Sequence, residues 1–343
     1  MHYNTLGRSG LAVSKYALGT MTFGSETAED EAFAQLDYFV EQGGTMIDCA
    51  DVYGAGAAET IVGRWLDSRP SEITDPLVLL TKGRFPTDTV TGAEGTSRRH
   101  LRRALDKSLQ RLGTSHIDVY MAHSFDPLTP LEETLGFMDD AVRQGKISYF
   151  GLSNFLGWQI QKASEICRRE GFSLPITMQP SYSLLVREIE WEIVPACLDN
   201  GMGLMAWSPL GGGWLTGKYR RDLDPTGATR LGEDPSRGLE AYAKRASNNQ
   251  TWEVLDVVHR IAEERGTSMA QTALAWVAQK PGVSTVLLGA RTQVQLKDNL
   301  GAADLTLTQR EMAELDEASA PRCGEWPYGA AGVEQRSRAL HGN

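Results

Sequence analysis

"LVLLTKG" (residues 77–83), "RRHLRRALDKSLQRLG" (98–113) and "IDVYMAH" (117–123) follow one another along the chain, and their reading decides the fold. The first and third are short apolar runs, rich in β-branched and long aliphatic side chains. Such runs are expected of strands buried on both faces. In the segment between them, Leu101, Ala104, Leu105, Ser108, Leu109 and Leu112 recur at steps of three and four, which makes one buried helical face. The remaining positions are mostly Arg, Lys, Asp and Gln, and Gly113 stands where a helix would be capped.

The same alternation extends in both directions. Further strands are expected at 17–19 (ALG), 45–48 (TMID), 149–153 (YFGLS), 176–180 (ITMQP), 203–209 (GLMAWSP) and 284–289 (STVLLG). Helices are expected at 131–145, at 269–280 before Pro281 and near 29–42, 57–68, 157–170, 189–200 and 293–302. Eight strands alternating with helices in 343 residues point to an α/β fold of the (β/α)8 TIM-barrel type. A doubly wound sheet is the rival, but "ALGTMTFG" after the first barrel strand lacks the G-x-G-x-x-G spacing. The chain therefore reads as a single barrel domain over 1–343. It opens on an N-terminal hairpin (1–14) and carries a long loop after the seventh strand (211–250) and a C-terminal tail (319–343) over the mouth. Loops of that length in a compact domain are usually functional lids or partly disordered segments.

Composition bounds the function. The chain is 41% apolar and 23% charged, as in ordinary globular proteins. With 34 Lys plus Arg against 44 Asp plus Glu, the net charge of −10 argues against nucleic acid as a partner. There is no apolar run of about 18 residues, so no membrane partner is expected. The start, MHYNTLGRSG, lacks the regions of a signal peptide. Cys49, Cys167, Cys197 and Cys323 are scattered, so they read as free thiols and the protein as cytoplasmic. Oligomeric state stays open, a homo-oligomer included.

Barrel strands converge at their C-terminal ends, so polar residues there become neighbours. Asp48 closes the second barrel strand, with Tyr53 just beyond it in "TMIDCADVYG" (45–54); Lys82 closes the third and His123 the fourth. This set suits proton donation to a carbonyl oxygen. A free tyrosine, with a pKa near 10, is too weak an acid at neutral pH, and a lysine ammonium beside it should lower that value. Asp48 would pair with Lys82, and His123 could bond the carbonyl oxygen. A metal-dependent hydrolase would need more His or acidic ligands at other strand ends, so no metal is expected.

On these residues the chain resembles the aldo-keto reductase superfamily over nearly its whole length, to about residue 318. IDCADVYG, LLTKG and IDVYMAH look like its Asp/Tyr, Lys and His motifs, which implies a catalytic tetrad of Asp48, Tyr53, Lys82 and His123. The likeness is to the longer bacterial members, the aryl-alcohol dehydrogenase-like reductases and the potassium-channel β subunits. It implies reversible, NADPH-dependent reduction of aldehydes or ketones, with Tyr53 as proton donor and NADH the lesser cofactor. The alternative it carries is an NADP(H)-binding regulatory or redox-sensing subunit with slow chemistry.

The resemblance also implies cofactor contacts. Ser153, Asn154 and Gln179 would meet the carboxamide, and Trp207 would stack on the nicotinamide. Ser208, Pro209, Leu210, Gly212 and Lys218 would line the pyrophosphate. Gly289, Arg291, Gln295 and Asn299 would reach the 2′-phosphate and adenine, while Gly19, Thr20 and Met21 would flank the cofactor after the first barrel strand. The small-molecule carbonyl or alcohol substrate would meet Met21, Phe23, SFDPLTP (124–130), the 211–250 loop and the tail. Trp207, Trp214, Trp326 and Tyr328 are the aromatic candidates, although Trp214 and Trp326 could equally pack the lid. Arg84, just past Lys82, is either an anion-binding group or a solvated loop residue.

Overall fold

A computed structural model describes residues 1–87, 93–221, 223–227, 229–236 and 238–337. Two short strands, β1 (Tyr3–Thr5) and β2 (Ala12–Ser14), form an antiparallel hairpin. Then come β3 (Tyr16–Gly19), β4 (Met46–Asp48), β5 (Val78–Gly83), β6 (Ile117–Ala122), β7 (Ile147–Ser153), β8 (Thr177–Gln179), β9 (Gly203–Ala206) and β10 (Val283–Gly289). These eight are hydrogen-bonded in parallel, in sequence order, and β10 closes on β3. The fold is thus the (β/α)8 barrel expected from the alternation. Each strand coincides with an expected one. The largest departure is at β9, which stops at Ala206 because Ser208 turns left-handed (φ 52°) and cannot continue a ladder.

Strand alternation divides the core in two. Ala17, Met46, Val78, Leu80, Val119, Met121, Met205 and Leu287 point into the lumen and pack together. The intervening Leu18, Ile47, Tyr120, Phe150, Leu152, Leu204, Val286 and Leu288 belong to the larger cluster between sheet and helices. The hairpin adds Leu6 and Val13 to the lumen cluster, so it plugs the end where the strands begin. Gly7 sits there at φ 60°, where a Cβ would lie 2.4 Å from the Ile176 carbonyl oxygen; only glycine fits.

The helix Arg98–Leu112 follows the reading above: Ser97 caps its start by accepting from the His100 N–H, and Gly113 ends it at φ 67°. A helix at Asn249–Arg265 was not anticipated; it buries Trp252, Leu255, Val258 and Ile261. The connection after β9 is long and partly helical, with turns at Gly211–Thr216, Arg230–Glu233, Gly238–Glu240 and Tyr242–Ala246. Residues 222, 228 and 237 of the 211–250 stretch, and 338–343 of the tail, lie outside the described residues. The tail meets the barrel where Tyr328 stacks on Trp191, rings 5.0 Å apart, and donates to Glu192 Oε1 at 2.6 Å. Among the described residues no helix is long and apolar enough to cross a membrane, and the four cysteines are free thiols.

Candidate functional site

The lumen positions continue upward by the same alternation. Above Met46 comes Asp48; above Val78 and Leu80 comes Lys82; above Val119 and Met121 comes His123; above Met205 comes Trp207. One layer of the barrel is therefore polar, and it is the layer at the strands' C-terminal ends. All four residues of the expected tetrad meet there.

Lys82 is completely buried. Its Nζ donates to Asp48 Oδ2 at 2.8 Å, to the Cys49 carbonyl at 2.7 Å and to the Tyr53 hydroxyl at 3.2 Å. Burial is the largest single influence and opposes the ammonium charge, but the Asp48 carboxylate and the Tyr53 oxygen together outweigh it and hold the Lys82 pKa above its ordinary value. Tyr53 departs from expectation. Burial raises its pKa, and the Lys82 ammonium only partly offsets this, so the phenol stays protonated at neutral pH. His123 is pushed well below the ordinary imidazole range by burial and by the charges of Lys82 and Arg84, so the ring is neutral. It stands edge-on to Tyr53, centroids 5.9 Å apart, and its buried Nδ1 has no hydrogen-bond partner.

The residues expected around a carboxamide are wired to the tetrad. Gln179 Nε2 donates to Asp48 Oδ1 (2.8 Å) and Ser153 Oγ to the Gln179 carbonyl (2.9 Å). Asn154 Nδ2 donates to the His123 carbonyl (3.0 Å) and Ser153 Oγ (3.1 Å), while its Oδ1 accepts from Trp207 Nε1 (3.1 Å). Gly19 ends β3, the Thr20 hydroxyl donates to the Asp48 carbonyl at 3.0 Å, and Met21 is exposed beside them.

After β9 the chain takes a run of left-handed residues: Ser208 (φ 52°), Gly211 (56°), Gly212 (64°) and Gly213 (98°). Pro209 and Leu210 lie within this turn, and Gly212 N–H donates to Ser208 Oγ at 3.3 Å. The Gly211 N–H donates to the Ser208 carbonyl at 2.9 Å and the Gly213 N–H to the Leu210 carbonyl at 3.0 Å, so what draws an anion to this turn is the cationic charge beside it. A Cβ on Gly213 would lie 2.5 Å from Lys218 Nζ, so that ammonium sits against the turn. The Lys218 pKa is lowered by burial first, then by Arg291 and Arg230, so cations crowd this place. A pyrophosphate-bearing nucleotide fits such a cradle, and these residues could hold it.

Gly289, at the end of β10, has open space where a Cβ would point, and its carbonyl accepts from Asn299 Nδ2 at 3.5 Å. Gln295 Oε1 accepts from the Arg291 N–H at 2.9 Å. Arg291 itself is clasped by two carboxylates that sequence reading passed over, Glu233 at 2.7 Å and Glu26 at 2.5 Å. Phe85, edge-on to His123 with centroids 4.9 Å apart, was missed as well, whereas Phe125, within the SFDPLTP stretch expected at the substrate, stands edge-on to Trp158 at 5.9 Å. Trp214 is not a substrate-facing aromatic: it is fully buried, stacked on Tyr242 at 5.3 Å, and its Nε1 donates to the Glu240 carbonyl. Trp326 is exposed. Among the described residues no group of three or more His, Cys, Asp or Glu is placed to hold a metal ion.

Comparison with known proteins agrees with this geometry. The profile of the Aldo/keto reductase family matches residues 15–320. The chain is 36% identical to the Bacillus subtilis oxidoreductase YrpG, covering 95% of this chain and 98% of the relative. It is 32% identical to the versiconal hemiacetal acetate reductase of Aspergillus parasiticus, over 94% of this chain and 98% of that one. It is also 37% identical to a probable voltage-gated potassium channel subunit beta of Oryza sativa subsp. japonica, over 89% and 92%. A closed parallel barrel, a Tyr–Lys–Asp–His cluster at its mouth and full-length similarity to named oxidoreductases lead to one assignment: this chain is a member of the aldo/keto reductase family of nicotinamide-dependent oxidoreductases.

Proposed function

We propose that the chain reduces aldehydes or ketones to alcohols with NADPH, with Tyr53 as the proton donor. The observation that carries this is the buried contact of Lys82 Nζ with both Asp48 Oδ2 and the Tyr53 hydroxyl. A neutral phenol held against a permanent ammonium can release its proton to a carbonyl oxygen, because the ammonium stabilises the phenolate left behind. Asp48 keeps Lys82 charged in a fully buried position, and Gln179 keeps Asp48 oriented. The neutral His123 can donate one N–H to the same carbonyl oxygen without competing for the proton. Bound NADPH supplies the hydride.

The cation cluster of Lys218, Arg230 and Arg291 supports a phosphate-rich cofactor, and Arg291 suits the 2′-phosphate of NADPH. Tyr53→Phe tests the assignment, since it removes only the hydroxyl. Carbonyl reduction is expected to fall at least about a hundredfold, the usual worth of a positioned acid. Binding of NADPH, read by fluorescence titration, is expected to stay within about twofold, because no phosphate or amide contact is touched. Retained turnover would sink the role given to Tyr53.

The potassium-channel β relative favours a second reading, a subunit that senses the state of bound NADP(H). Tight NADPH binding with no oxidation across a panel of aldehydes, ketoses and ketones would select it.

A further inference from the structure

Arg84 leaves β5 two residues past Lys82, on the strand parity that points into the mouth. Its guanidinium carbon lies 4.7 Å from the centre of the Phe85 ring. That ring in turn stands edge-on to His123, centroids 4.9 Å apart. The backbone beneath is tied down, since the Gly95 N–H donates to the Arg84 carbonyl at 2.8 Å. The guanidinium is thus stacked in place one ring away from the tetrad.

Among the described residues it has no ionic or hydrogen-bonding partner. Arg84 is half-buried, its Nε is sealed from solvent without a hydrogen-bond partner, and among the described residues no carboxylate pairs with it. Four other arginines that are buried or half-buried behave differently: Arg111 grips Glu59, Arg187 grips Glu190, Arg245 grips Glu240 and Arg291 grips Glu26. The carboxylate that does feel the charge of Arg84 is Asp126, and it is already spent. Its Oδ2 accepts from the Thr96 N–H (2.8 Å) and the Thr129 hydroxyl (2.6 Å), its Oδ1 from the Leu128 N–H (2.9 Å). Inside the mouth, Lys82 and Asp48 cancel one another and His123 is neutral. Among the described residues Arg84 therefore stands near the reacting position with no carboxylate bonded to it. A half-dehydrated guanidinium without a partner is costly, and an oxyanion taken on two parallel N–H bonds relieves that cost.

We propose that Arg84 is the anion-recognition residue of the substrate pocket, and that the preferred substrates are carbonyl compounds bearing a carboxylate or phosphate. The fate of the bound compound rests on the reductase reading above; its capture does not. Two probes separate the points: 4-formylbenzoate, and its uncharged methyl ester. Dissociation constants are read by calorimetry on the full chain with NADP+ present, for the wild type, Arg84→Gln and Arg84→Lys.

The wild type is expected to bind formylbenzoate at least tenfold more tightly than the ester. Arg84→Gln is expected to weaken formylbenzoate at least tenfold and the ester less than twofold, with Arg84→Lys between. Binding of neither probe, equal affinity of the wild type for both, or equal weakening of both by Arg84→Gln would overturn the proposal. NADPH oxidation with the two aldehydes tests the reductase reading separately. Turnover without preference for charge removes the role of Arg84 and keeps the reductase. Capture of formylbenzoate through Arg84 without any turnover keeps the anion site and removes the reductase.

Discussion

Asp48→Asn changes one atom of a fully buried ion pair, and its cost follows from what Lys82 can then do. In the wild type the ammonium spends its protons on Asp48 Oδ2, the Cys49 carbonyl and the Tyr53 hydroxyl. Without the carboxylate, Lys82 can stay charged in a buried site, and stranding one member of such a pair costs about 3–5 kcal/mol. Or it can lose its proton. From an ordinary lysine pKa near 10.4, at about 1.4 kcal/mol per unit, deprotonation costs about 4.6 kcal/mol at pH 7. Both routes predict a loss of about 3–5 kcal/mol at pH 7. They differ in pH dependence. In the second route the folded pKa of Lys82 is depressed below its unfolded value, so the unfolded chain binds more protons and stability rises with pH up to about 10. In the wild type the folded pKa is raised, so Lys82 is charged in both states below the unfolded value and adds no slope from pH 7 to 9; its contribution is lost only as pH climbs through the folded pKa. Urea unfolding at pH 7, 8 and 9, followed by tryptophan fluorescence, reads both quantities. A loss below about 1 kcal/mol at pH 7 would refute the reasoning, since neither route allows it.

Two further outcomes follow from groups around the site. Glu233→Gln frees one side of Arg291; the Glu233 side of that pair is half exposed, so it is worth up to about 1 kcal/mol and NADPH should bind about two- to fivefold more tightly. Weaker NADPH binding in a fluorescence titration would contradict the place given to Arg291. Asp51 is buried, and burial, then the charge of Glu59, push its carboxyl up to about 7. A carboxyl raised in the folded state loses stability as pH rises from about 4 to about 7, here by up to about 4 kcal/mol. Asp51→Asn should therefore be the more stable protein at pH 8 and lose that advantage by pH 4; parallel stability curves would count against it.

How much of this was legible in the sequence depended on how local the cause was. Strands announced themselves because a strand buried on both faces must be apolar throughout, as in "LVLLTKG". The tetrad was legible because Asp48, Lys82 and His123 each end such a run and Tyr53 follows Asp48 closely, and convergence at one mouth is a property of the fold. The helix Asn249–Arg265 was hidden for a local reason: it follows some forty residues without period, although Trp252, Leu255, Val258 and Ile261 carry the spacing. The direction of the Tyr53 shift was not legible. Proximity to Lys82 argues one way and burial the other, and only packing decides between them. Nor was the clasp on Arg291, because Glu26 after β3 and Glu233 after β9 are far apart in the chain and meet through the barrel's closure.

The hydrogen bonds of the mouth form one connected line. Trp207 donates to Asn154, Asn154 to Ser153, Ser153 to the Gln179 backbone, Gln179 to Asp48, and Lys82 joins Asp48 to Tyr53. Six neighbouring strand ends, β4 to β9, are thereby held to one another, β6 through the Asn154 bond to the His123 carbonyl. A line of this kind fixes Tyr53, the proposed proton donor, relative to the face of Trp207, which is what the proposed transfer of a proton and a hydride to one carbonyl group would demand. It also uses up the polar atoms that compose it. What stays unspent is informative: the buried Nδ1 of His123 and the buried Nε of Arg84, separated by the ring of Phe85. On the proposal made for Arg84, its guanidinium and the tetrad stand one aromatic ring apart, so the substrate it describes has two polar ends, a carbonyl oxygen at the tetrad and an anionic group at Arg84.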